Sequence, residues 1–74
     1  MTKHMLTVES LEHRVRAEYR DMPGLSLTVA QASRLLGIDR SVCERVLQRL
    51  VLDGALYHTP RGAYVAARSA RERI

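Results

Sequence analysis

The residues with the most chemistry to offer are arginines on one short stretch. From Arg40 to Val51, the side chains Val42, Cys43, Val46, Leu47, Leu50 and Val51 recur at spacings of three and four, while Arg40, Ser41, Glu44, Arg45, Gln48 and Arg49 fall opposite. A guanidinium is a permanently charged planar fork that can bond a phosphate, or the O6 and N7 atoms of guanine, through two parallel hydrogen bonds. Arranged on the polar side of a helix about as wide as the DNA major groove, these residues suit double-stranded DNA. By position, Arg40, Ser41, Arg45 and Arg49 are the expected contacts, with Arg40 and Arg45 nearest base edges and Arg49 on phosphate. Gln48, farther along, carries the amide that pairs with adenine. Asp39 and Glu44 are acids beside a polyanion. They are accommodated if Asp39 caps the helix and Glu44 either pairs with Arg40 or accepts from a cytosine amino group.

Two further groups join this set. Arg61 lies between Pro60 and Gly62, a turn tip that would project it toward the DNA backbone or minor groove. Thr28 and Gln31 stand three apart in a capping-box pattern; they can serve a helix start alone, or add bonds to a phosphate drawn to that helix terminus.

Other chemistries find little support. His4, His13 and His58 are scattered without metal-ligand spacing or a triad partner, and read as surface or capping residues. The single cysteine, Cys43, rules out an intrachain disulfide and falls on the apolar side of its helix, where a buried, inert thiol is expected. No glycine-rich phosphate loop, activated nucleophile or carboxylate pair is present, so the chain reads as no enzyme, with no cofactor and no metal.

The elements that must position the arginines follow from punctuation and periodicity. Residues 1–6 read as a disordered start. Thr7 caps a first helix carrying Val8, Leu11, Val15 and Tyr19, which ends near Arg20 at Met22-Pro23-Gly24. Leu25-Ser26-Leu27 is extended. A short second helix from Thr28 turns Ala32, Leu35 and Leu36 inward and closes at Gly37. The arginine-bearing third helix opens at Asp39 and stops at Gly54. Segments 56–59 and 63–66 flank Pro60-Arg61-Gly62 as a hairpin. Residues 67–74 form a basic tail, a fraying helix or a disordered arm. The 74 residues fit one domain, 7–66, with a core of Leu, Val, Ile and Ala, since Phe and Trp are absent. The net charge of +4 is uneven, rising from an excess of +1 over residues 1–37 to +3 over residues 38–74. No apolar run suits a bilayer, and 1–6 lacks the features of a secretory signal; a cytoplasmic protein without membrane association is expected.

Helix, short strand, short helix, tight turn, longer amphipathic helix and hairpin together make a mainly α fold with a small β-hairpin, the order of a winged helix-turn-helix. The run from Leu27 through Ala32-Ser33-Arg34-Leu35-Leu36-Gly37-Ile38-Asp39-Arg40-Ser41 to Leu50, continued by Val51-Leu52-Asp53-Gly54-Ala55-Leu56, resembles the helix-turn-helix of small bacterial winged-helix transcriptional regulators. The resemblance covers residues 25–66 and implies sequence-selective DNA binding with the third helix in the major groove and the hairpin as wing. The lead-in Met22-Pro23-Gly24-Leu25-Ser26-Leu27-Thr28 is also similar to that of small, functionally unassigned bacterial winged-helix proteins. A homodimer through the first helix or the C-terminal arm would pair recognition helices about 34 Å apart on a palindrome. The alternative is a protein-interaction or adaptor module on the same scaffold, which would expose an apolar patch around Val8, Leu52 and Ile74 for a protein partner.

Overall fold

The computed structural model describes residues 7–67. Residues 1–6, with His4, and the tail beyond residue 67, with Ile74, for which a disordered start, a basic arm and part of an apolar patch are expected, lie outside the described residues. Three helices and a small antiparallel sheet follow in the order α1 (Val8–Asp21), β1 (Ser26–Thr28), α2 (Val29–Leu36), α3 (Arg40–Leu52), β2 (Leu56–His58) and β3 (Ala63–Ala66). Thr7 and Ser10 cap α1 reciprocally, each hydroxyl accepting from the other's backbone amide at 3.1 Å. Thr28 and Gln31 do the same for α2, at 3.2 Å and 3.0 Å.

Gly37 ends α2 with φ +70, where a side chain would be strained, and its N–H donates to the Ser33 carbonyl at 2.8 Å. This left-handed residue reverses the chain so that α3 starts three residues later against α2. Asp39 occupies the N-cap position of α3, but its carboxylate caps no backbone amide. It accepts instead from the Ser41 hydroxyl at 3.3 Å, which corrects the expected capping role. The short side chain at this φ and ψ turns toward its neighbour's hydroxyl rather than the helix amides.

The hairpin closes through a three-residue loop. Thr59 N–H donates to the Ala63 carbonyl at 2.8 Å, and Gly62 takes φ +89 next to that pair. Strand β2 is therefore one residue shorter than expected, because Thr59 belongs to the turn. The sheet order is β1-β3-β2, all antiparallel, with Leu27 and His58 both opposite Tyr64. Leu11, Val15 and Tyr19 of α1, Ala32 and Leu36 of α2, Cys43, Val46, Leu47 and Leu50 of α3, and Leu56 and Tyr64 of the sheet make one core. Leu35 was expected within it but is 45% exposed, because it lies one residue around from Leu36 on a helix only two turns long. Among the described residues, no helix is long and apolar enough to cross a membrane.

Candidate nucleic-acid interface

Helix α3 is held from both flanks, and this decides which of its polar side chains remain available. On one flank Arg49 Nε donates to Glu12 Oε2 of α1, forming an ion pair whose carboxylate side is largely buried. The hydrogen bond and charge of Glu12 raise the Arg49 pKa further above its ordinary value. Arg49 was expected on phosphate; the structure turns it toward α1 as a tie between two helices. The signal lay in the sequence: Glu12 falls in the spacing Val8, Glu12, Val15, Tyr19, so a charge interrupts the apolar stripe and calls for a cation. A second link from α1, Arg16 to Asp53 just past the end of α3 at 3.1 Å, is exposed on both sides and contributes little.

On the other flank Gln48 Nε2 donates to the Tyr64 hydroxyl at 3.0 Å. Tyr64 is buried at the centre of β3 with its ring stacked on His58, centroids 4.1 Å apart and planes 5° from parallel. The Tyr19 hydroxyl donates to the Tyr64 carbonyl at 2.6 Å, joining α1 to the sheet. Burial raises the pKa of both phenols. Gln48, expected as an adenine reader, is thus oriented by the sheet. His58 was expected as a surface or capping group. It remains exposed and lays its ring on Tyr64.

Between these flanks Arg40, Ser41, Glu44 and Arg45 are exposed. Among the described residues the side chains of Arg40, Glu44 and Arg45 take part in no hydrogen bond or ion pair, so the expected Arg40 to Glu44 pairing does not form. At about 100° per residue, Ser41 and Leu52 lie within about 10° of the line opposite the buried stripe and Arg45 and Gln48 within about 30°, while Arg40, the first helical residue, lies about 140° around the axis from Arg45. Arg40 is therefore placed for the helix end and Arg45 for the helix face. Arg61 is exposed at the hairpin tip, also without a partner among the described residues. Thr28 and Gln31 engage each other's amides through their oxygens, which leaves the Thr28 hydroxyl proton and the Gln31 amide protons as donors at the start of α2.

Three other features bear on function. Cys43 is fully buried, its Sγ 3.8 Å from the Val29 carbonyl, and burial raises its pKa. Among the described residues no group of three His, Cys, Asp or Glu side chains could hold a metal. An open groove of about 430 Å³ runs between the end of α1, β1 and α2, lined by Glu18, Met22, Leu25, Leu27, Arg34 and Leu35. Of the apolar patch expected around Val8 and Leu52, Leu52 is 84% exposed, whereas Val8 is half-buried against the core. The chain matches no protein-family model, and the searches of curated proteins and of solved structures likewise found no match.

Proposed function

We propose that residues 7–66 form a winged helix-turn-helix domain that binds double-stranded DNA with sequence selectivity, with regulation of transcription as the consequence. In this reading α3 enters the major groove, the β2–β3 hairpin is the wing beside the flanking backbone, and no cofactor or catalysis is involved. The observation that carries it is the set of exposed cations without internal partners, Arg40 and Arg45 on α3 and Arg61 at the hairpin tip. An exposed cation left unpaired by its own chain retains its full attraction for phosphate. The three-helix, three-stranded layout supports the reading, with β1 beside β3 and the hairpin leaving directly from the end of α3.

One such domain makes few base contacts, so two copies on half-sites about 34 Å apart would complete the site. The test is binding of fluorescent duplexes as a function of salt, with Arg40→Ala, Arg45→Ala and Arg61→Ala beside the wild type. Each should weaken binding, and equal affinity for all four proteins would remove the proposal. A second reading, an adaptor that holds a protein partner, is favoured by the groove flanked by exposed Met22 and Leu35. It predicts that substitutions there, and none of the arginine changes, abolish function.

A further inference from the structure

The side chains on the outward side of α3 differ in what they can still bond. Ser41, Arg45 and Gln48, with the exposed Leu52, lie nearest the line opposite Cys43, Val46, Leu47 and Leu50, and Glu44 lies about 70° from that line on the side of Gln48. Gln48 is the adenine reader of this set, because an amide can donate to N7 and accept from the N6 amino group together. One of its two amide protons is directed to the Tyr64 hydroxyl, which fixes the direction of the amide and restrains it from turning to present its oxygen and second proton to adenine. Arg49 is tied to Glu12 on the flank. Ser41 already donates to Asp39. Glu44 and Arg45 remain, consecutive in sequence and about 100° apart around the helix, exposed and with side chains in no hydrogen bond or ion pair among the described residues.

Resting on the reading that α3 enters the major groove, we infer that the domain selects G·C base pairs, with Arg45 on guanine and Glu44 on the cytosine of a neighbouring pair. The guanidinium fork of Arg45 matches guanine O6 and N7. A carboxylate in the groove is repelled by phosphate and by every base acceptor, so its partner must be an amino group. Adenine sets its amino group beside the N7 acceptor, whereas cytosine offers N4 as a donor alone. The carboxylate therefore discriminates where a neutral side chain would tolerate both. Glu44 is then a specificity residue: it weakens attraction to DNA in general and favours one base.

The experiment selects duplexes from a random pool with the full chain, then measures affinity for the winner and for single base-pair replacements, using wild type, Glu44→Ala, Arg45→Ala and Tyr64→Phe. Winners should share adjoining G·C pairs, and replacing either by A·T should weaken wild-type binding roughly 5- to 100-fold. Arg45→Ala should become indifferent at the guanine position and Glu44→Ala at the cytosine position. Tyr64→Phe releases Gln48 without adding volume and should admit an A·T pair beside them. Wild-type winners rich in A·T, or changes in affinity that are equal across all sequences, a gain for Glu44→Ala and a loss for Arg45→Ala, overturn the base assignment while leaving DNA binding in place. A Tyr64→Phe protein with unchanged preference overturns the restraint assigned to Gln48. Absence of binding to any duplex at low salt removes the DNA reading itself, and the base assignment with it.

Discussion

Replacing Arg40 and Arg61 together by alanine tests which cations of this domain reach a polyanion. Both are exposed, and neither forms an ion pair among the described residues, so each would meet phosphate with its whole charge. One phosphate neutralised by one cation contributes about 0.9 to the slope of log affinity against log salt. The double variant should therefore show a slope smaller by about 1.8. Between about 50 and 200 mM salt, the wild type then loses about 12-fold more affinity than the variant. Arg49→Ala combined with Glu12→Gln, which removes the ion pair as a unit, is the contrast within the same helix. The Arg49 guanidinium faces the Glu12 carboxylate, so the pair presents no net charge, and removing both charges together changes no counterion release when DNA arrives. The slope of this protein should stay within about 0.3 of the wild-type value. The assay is anisotropy of a labelled duplex across a salt series, with circular dichroism to verify equal helix content. A full-unit drop for the Arg49→Ala, Glu12→Gln protein, or an unchanged slope for the Arg40 and Arg61 double variant, would refute the division of cations drawn from the structure.

Three other outcomes follow from the buried groups. Tyr19→Phe deprives the Tyr64 carbonyl of a buried donor and should lower stability by about 1 to 3 kcal/mol, with a melting point lower by about 4 to 8 °C per kcal/mol; an unchanged melting curve would contradict it. Cys43, Tyr19 and Tyr64 all have raised pKa values in the fold, from ordinary values of 9.0 for the thiol and 10.0 for the phenols. The unfolded chain sheds those protons first, so stability is intact below about pH 9 and falls as pH rises above it. Urea titrations at neutral and alkaline pH check this, and constant stability to about pH 11 would count against it. Native Cys43 should react with a thiol reagent far more slowly than the urea-unfolded chain, because its thiol is buried and its ionisation suppressed; equal rates would contradict its burial.

Local chemistry made the helices legible in the sequence. Thr7, Thr28 and Gln31 announce helix starts through hydroxyl and amide groups that act within a few residues, and Gly37 marks a turn only glycine takes without strain. The apolar stripe of α3 predicted burial of Cys43, Val46, Leu47 and Leu50, because a thirteen-residue helix has enough turns to average out errors. On the eight-residue α2 the same argument placed Leu35 inside and failed. The side-chain partners were less legible. Glu12 and Arg49 are separated by 37 residues, and Gln48 and Tyr64 by 16, so no local pattern joins them. A charge in the α1 stripe hinted that some cation was needed, but only the packing of α1 on α3 selects Arg49. Asp39 shows the converse: its type and position suit a cap, and one neighbouring hydroxyl diverts it.

Tyr64 explains how so small a domain holds its hairpin in a fixed relation to α3. The hairpin has only the three residues of β2 and four of β3 to anchor it, and the chain has neither Phe nor Trp to weight the core. A two-stranded hairpin alone is marginal in water. Here its central tyrosine is buried, accepts from Gln48 of α3 through the hydroxyl, accepts from Tyr19 of α1 through the carbonyl, and supports His58 on its ring. Three elements thereby converge on one residue of the sheet, and Arg61 at the hairpin tip keeps its place relative to Arg45. Arg49 secures the opposite flank to α1. The consequence is a trade within α3: two polar side chains that would otherwise extend the outward surface hold the helix in place, and a narrower set of uncommitted groups is presented on a firmer frame. A firm frame matters for selectivity because a bidentate contact discriminates between bases only when the fork arrives in register.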